Sequence, residues 1–154
     1  MKRMMFLLGL LVGAAHAEVR PFMNGSLQKI ENERAGKPFI LALWSATCTH
    51  CPAELSALGG LAAQYRGIDI VLIATDTPAE MAQLEKLATG YGLGAKSQWV
   101  FAEEQPERLR FEIDRRWHGE LPRTYFFDAQ HRRTAVSGIV PPEQLERWVA
   151  DNVK

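Results

Sequence analysis

Two stretches of the chain are almost free of polar residues: Phe39-Ile40-Leu41-Ala42-Leu43-Trp44, and the run from Ile68 to Thr75 that ends at Asp76. Both are short, partly β-branched or aromatic, and without in–out alternation, the pattern of strands in a parallel sheet covered on both faces. Between them Leu55, Leu58, Leu61, Ala62 and Tyr65 recur at helical spacing, which predicts a helix from near Thr49 to just before Gly67. Beyond Asp76, Thr77-Pro78-Ala79-Glu80 has the form of a capping box with proline at the first helical position. Met81, Leu84, Leu87, Ala88 and Tyr91 then supply the apolar stripe of a helix over about 78–89. Gly90, Gly92 and Gly94 break that stripe, and Trp99-Val100-Phe101 reads as a short strand.

Further along, Leu109, Ile113 and Trp117 stand at four-residue spacing in a charged segment and predict an amphipathic helix over 105–117. Leu121 to Phe127 reads as a strand with a proline near its start, where the missing donor is tolerated. Asp128 to His131 forms a turn, and Thr134 to Ser137 returns antiparallel. Pro141-Pro142-Glu143 opens a last helix with Leu145, Trp148 and Val149 on its inner face. At the other end, residues 18–25 read as an irregular lead-in punctuated by Pro21 and Gly25. A short helix follows, capped by Ser26, carrying Leu27 and Ile30 and ended by Gly36 and Pro38. Strands alternating with helices, then a hairpin, predict an α/β fold: a mixed central sheet with helices on both faces.

Met1-Lys2-Arg3, the apolar run from Met4 to Val12 and Ala15-His16-Ala17 together have the form of a secretory signal peptide, with cleavage expected after Ala17. Its apolar part is too short to span a bilayer, although an uncleaved leader acting as a tether is the alternative. Losing residues 1–17 leaves 137 of the 154 residues, enough for one domain, residues 18–154, with its own core. Lys2 and Arg3 leave with the leader, so 16 basic residues face 18 acidic ones, and this near-neutral balance gives no reason to propose a nucleic-acid partner. An exported chain of this kind is expected in the periplasm, where a cysteine pair can be oxidised.

The chain has two cysteines, Cys48 and Cys51, three positions apart at the junction of the first apolar run and the following helix. The unpaired N–H groups and positive dipole end of a helix favour a thiolate, and such settings lower a cysteine pKa from about 8.5 to roughly 3.5–7.5. Cys48 is thereby the expected nucleophile, and Cys51, one turn on, can attack a mixed disulfide formed at Cys48. A structural staple is the plainer reading, but closing so short a loop stabilises by only about 2 kcal/mol in the chain-entropy model, against roughly 3 kcal/mol for 15 residues. Zinc or copper held by Cys48, Cys51 and a histidine is a third possibility, though structural zinc wants four ligands and there is no second cysteine pair. Pro52 follows Cys51 where a c-type haem site requires histidine, which excludes haem attachment.

The leader, the Cys48-Thr49-His50-Cys51 motif at a strand–helix junction and the later Leu121-Pro122-Arg123-Thr124 together resemble the thioredoxin superfamily, and within it the TlpA/ResA-like periplasmic thiol–disulfide oxidoreductases. The likeness covers most of residues 26–152. It implies a protein-disulfide oxidoreductase with Cys48 as the exposed attacking thiol and Cys51 as the buried resolving one. It also implies that Pro122 is held cis beside the disulfide, that Leu121 offers its backbone to a substrate strand, and that an apolar rim around Trp44 and Leu121 docks that strand. Glu54 matches an acid of ResA-like members and could pass a proton to and from Cys51; otherwise it is a solvated glutamate aiding the first helical turn. Asp76, at a strand end, reads more readily as a loop or capping group.

Two departures from thioredoxin stand out: Thr47 in place of a tryptophan, and Ala42 in place of a buried aspartate six positions before Cys48, which leaves Glu54 or water to relay protons. His50 resembles the histidine of the DsbA motif, where an imidazole stabilises the thiolate and favours oxidation. The TlpA-like resemblance implies the opposite direction, a reductase fed by a membrane electron-transfer partner. Family potentials span about −270 to −120 mV, about 7 kcal/mol for a two-electron couple, more than one dipeptide decides. The expected partners are protein thiols and disulfides, the expected state a monomer, and no organic cofactor is required. Two rival functions remain in view. One is a copper chaperone using Cys48, Cys51 and His118; the other is a peroxiredoxin-like peroxidase reacting at Cys51 within Thr49-His50-Cys51-Pro52-Ala53-Glu54.

Overall fold

The computed structural model describes residues 17–153, so the leader assigned to residues 1–17 lies, but for its last residue, outside the described part. The chain runs β1 (Val19–Phe22), α1 (Ser26–Glu33), β2 (Phe39–Trp44), α2 (Cys51–Gln64), β3 (Ile70–Ala74), a single 3₁₀ turn (Pro78–Glu80) and α3 (Met81–Gly90). It continues through β4 (Ser97–Phe101), α4 (Pro106–Ile113), β5 (Arg123–Phe127), β6 (Arg133–Ser137) and α5 (Pro142–Asn152). The strands form one sheet in the order β1-β4-β3-β2-β5-β6. The first four are parallel, and β5 and β6 run antiparallel to their neighbours.

The fully apolar sequence of β2 is explained by its central position. Ile40, Ala42 and Trp44 point into one core with Leu55, Leu58 and Leu61 of α2, Leu84 of α3 and Leu145 and Val149 of α5. Phe39, Leu41 and Leu43 point into the other, with Leu27 and Ile30 of α1 and Leu109 and Ile113 of α4. A strand buried on both faces cannot alternate. The sheet is therefore mixed and carries helices on both faces, the α/β architecture that the sequence pattern predicts. No helix among the described residues is long and apolar enough to cross a membrane.

Several boundaries differ from the sequence-based expectation. The lead-in is a strand: β1 pairs with β4 from Val19 to Phe22 and forms one edge of the sheet. Pro21 has no N–H to offer there, and the Arg20 guanidinium lies 3.9 Å over the Trp99 ring. Ser26 is the first residue of α1 rather than its cap; the cap is Gly25, at φ +83°, and Ser26 Oγ accepts a hydrogen bond from Met23 N–H at 2.9 Å. The amphipathic helix is shorter than expected, Pro106–Ile113, although Trp117 beyond it is buried in the same core. The strand after the proline starts at Arg123, which leaves Leu121 and Pro122 in the approach loop. Most consequential for the site, α2 begins at Cys51 and not near Thr49.

Candidate active site

Strand β2 ends at Trp44, and the loop Ser45–His50 carries the chain over the carboxyl end of the sheet into α2. Asp76, just beyond the end of the neighbouring β3, fixes that loop. Its carboxylate accepts from Ser45 Oγ at 3.1 Å and from Ala46 N–H at 3.2 Å. The Cys48 N–H donates to Ser45 O at 3.2 Å, which closes the turn. Asp76 is thus a loop anchor, as its position at a strand end suggests.

Cys48 and Cys51 form a disulfide with Cα atoms 5.4 Å apart. The two sulfurs are not equivalent. Cys51, the first residue of α2, is 1 % exposed, whereas Cys48 is half-buried and lines an open cleft of about 650 Å³ with Thr47, His50, Asp76, Gly119 and Leu121. Because α2 starts at Cys51, Cys48 precedes the helix rather than sitting in its first turn, and the dipole argument acts through one contact. The Cys51 N–H, one of the helix's unpaired donors, points at Cys48 Sγ from 3.1 Å. A thiolate at Cys48 would receive that hydrogen bond. His50 occupies the N-cap position of the helix without a side-chain capping bond, and its exposed side chain stands at the cleft wall.

The opposite wall is the loop before β5. The Leu121–Pro122 peptide bond is cis. Gly119, at φ +96°, adopts a left-handed turn that a side chain would strain, and it lines the cleft beside Leu121. Behind the loop Arg123 acts as a clamp. Its guanidinium donates to Asp114 Oδ2 at 3.0 Å, to Glu120 Oε1 at 3.3 Å and to Ser137 Oγ, while its Nε donates to Tyr125 Oη at 3.2 Å. Burial works against ionisation of Asp114, but donors from Arg116 N–H, Arg123 and Tyr125 outweigh it and hold the carboxyl below its ordinary range. Gly138 N–H donates to Pro122 O at 2.8 Å, which ties the end of β6 to the same loop.

Glu54 lies beneath this surface and is not the solvated glutamate of the plainer reading. It is 1 % exposed; Oε1 accepts from Thr124 Oγ1 at 2.8 Å and Oε2 from Val140 N–H at 2.9 Å. Burial raises its pKa above the ordinary value, and the hydrogen bonds from Val140 and Thr124 offset only part of that rise. Thr124 is the cross-strand partner of Ala42. The small side chain at Ala42 and the carboxyl on α2 thus belong to one arrangement, in which the buried acid comes from the helix rather than the strand. Glu54 stands one turn after Cys51 on the same helical face.

The structure corrects one site expectation outright. Trp44 is 3 % exposed and packs into the core with Cys51 and Leu55, so it supports the cleft from below and offers no ring to a docked strand. Of the two rim residues expected, Leu121 alone lines the cleft. His118 is exposed, does not line the cleft, and its N–H is turned to Glu120 Oε2 at 3.2 Å. Among the described residues no group of three His, Cys, Asp or Glu side chains is placed to hold a metal. A peroxidatic Cys51 is unfavourable, since its sulfur is buried.

No protein-family model and no curated protein matches the chain. Solved structures do. A secreted Mycobacterium tuberculosis disulfide oxidoreductase homologous to E. coli DsbE superposes with a TM-score of 0.59 at 23 % identity, over 78 % of this chain and 85 % of that one. A thiol:disulfide interchange protein of the thioredoxin family from Chlorobium tepidum gives 0.61 at 19 % identity, over 80 % and 85 %. A DsbF homologue from Corynebacterium diphtheriae gives 0.60 at 18 % identity, over 79 % and 75 %. The fold is that of thioredoxin.

Proposed function

We propose that this chain is an exported protein-disulfide oxidoreductase. In the reducing direction the Cys48 thiolate attacks a substrate disulfide, a Cys48–substrate S–S bond forms, and one substrate thiolate leaves. The Cys51 thiolate then attacks Cys48 Sγ, the Cys48–Cys51 bond forms, and the second substrate thiolate leaves. Two electrons pass from the chain to the substrate; the reverse sequence oxidises a dithiol. Glu54 takes the proton from Cys51 as it becomes a nucleophile and returns it when the disulfide is reopened. Leu121 and Pro122 hold the extended substrate segment against Cys48, and His50 supports the Cys48 thiolate. The observation that carries this reading is the inequality of the two sulfurs: one faces an open cleft opposite Leu121, the other is enclosed one helical turn from a buried carboxyl.

The finer assignments follow the same reading. Residues 1–17 serve as an export leader, residues 18–154 act in the periplasm as a monomer, and a membrane partner supplies electrons for net reduction of protein disulfides. The test is a pair of variants assayed with a disulfide-bonded protein substrate. Cys51→Ser accumulates a mixed disulfide on non-reducing gels, because nothing resolves it; Cys48→Ser forms none and loses exchange. Wild-type exchange in Cys48→Ser would refute the proposal.

A further inference from the structure

We propose that the cleft over Cys48 continues into a second groove that accepts a lysine or arginine side chain flanking the substrate's cysteine. This inference rests on the exchange reading above and adds to it a class of substrate sequence. The second groove, of about 500 Å³, shares Thr75 and Asp76 with the cleft over Cys48, so the two adjoin at the carboxyl end of the sheet and are treated together as one trough. Its walls combine two chemistries. Phe101, Pro78 and Pro106 make them apolar, and the prolines have no N–H to offer a bound chain; Asp76, Glu103 and Glu104 make them anionic. Glu103 is fixed, its Oε1 accepting from Asn24 N–H at 2.6 Å. Asp76 is held by the Ser45 and Ala46 bonds.

Among the described residues no lysine or arginine lines either part of the trough. Arg108 lines a separate depression with Glu103, Glu104 and Gln105. His50 lines the Cys48 end of the cleft. An apolar passage with carboxylates along it matches a side chain with an aliphatic stem and a cationic head, which can bury the stem while the head stays hydrated beside Glu103 and Glu104. An aspartate or glutamate there would face three carboxylates, and a purely aliphatic residue would bring them no opposite charge. Charge arranged in this way selects partners and speeds their encounter.

The test uses symmetric disulfide dimers of ten-residue peptides, each with one cysteine and, at successive flanking positions, Lys, norleucine or Glu. In a single turnover the fully reduced protein converts each dimer to two peptide thiols as its Cys48–Cys51 disulfide forms, and the second-order rate constant is read from the disappearance of dimer by chromatography. At one flanking position Lys should exceed Glu by about five- to tenfold at low ionic strength, with norleucine between them, and the gap should narrow in 0.5 M salt. The double variant Glu103→Gln/Glu104→Gln should lose the preference while keeping its rate on the norleucine peptide. Equal rates for all three peptides, or a preference that survives in the double variant, would overturn the groove and leave the exchange reading intact. Failure to reduce any of the dimers would overturn both.

Discussion

The buried carboxyl gives the sharpest test of how this site is built. Glu54→Gln keeps the shape of the side chain and removes its charge. The amide oxygen can accept from Val140 N–H, now 2.9 Å from Oε2, and the amide NH₂ can donate to Thr124 Oγ1, now 2.8 Å from Oε1. Both contacts are retained, so at pH 4, where a glutamate is largely protonated in either state, the variant should match the wild type within about 1 kcal/mol, the worth of one rearranged hydrogen bond. The curves should then separate. Burial sets the folded-state pKa of Glu54 above its unfolded value of about 4.5, so between those two values the native protein binds more protons than the unfolded one, and stability falls as pH rises. The loss begins near pH 4.5 and levels off once pH passes the folded-state value. Every pH unit between the two values is worth about 1.4 kcal/mol. The glutamine variant lacks this term and should become the more stable protein at pH 8. Urea melts of both oxidised proteins from pH 4 to 8 measure it. Parallel stability curves would mean that the acid's burial costs nothing, and the proposed proton relay would lose its basis.

Two further outcomes follow from contacts around the site. Arg123→Met removes the clamp behind the Leu121–Pro122 loop and leaves the Asp114 carboxylate, 11 % exposed, without its ion partner. It should lower stability by about 2–4 kcal/mol and raise KM for a protein disulfide while leaving reaction with a small-molecule disulfide near wild type. A uniform fall in both would assign Arg123 a purely structural role. In α2, a Cβ at Gly59 would lie 1.8 Å from Tyr91 O, whereas one at Gly60 meets nothing within 4 Å. In denaturant melts Gly59→Ala should destabilise by about 1–3 kcal/mol or more, and Gly60→Ala should gain about 0.5–1 kcal/mol; equal effects would contradict this helix–loop packing.

The elements that could be read from the chain were those whose environment imposes a strong local pattern. β2 and β3 are covered on both faces, so their composition alone marks them, and the capping box at Thr77 is formed, with Thr77 N–H donating to Glu80 Oε2 at 2.8 Å. β1 was missed because it is four residues long, contains a proline, and owes its form to β4, almost eighty residues away. The same holds inside the site. The motif at Cys48 and Cys51 is visible at a glance, but what makes Glu54 unusual is a hydroxyl 70 positions away and an amide 86 positions away. Trp44 misled for the complementary reason: an aromatic next to a reactive motif looks like a contact surface, while its place as the last residue of a central strand puts it in the core.

The borders of the sheet bear on how such a molecule avoids its own function. A protein that accepts stretched-out polypeptide at one spot is exposed to the same chains wherever backbone groups lie open, and an unguarded edge would recruit them without any chemistry. Here the first border is interrupted by Pro21 and shielded by Arg20, and the last, β6, begins with Arg133 and is solvated along most of its length. On the exchange function proposed above, such edges would favour brief contact with an extended substrate at the cleft over lasting strand pairing at the flanks.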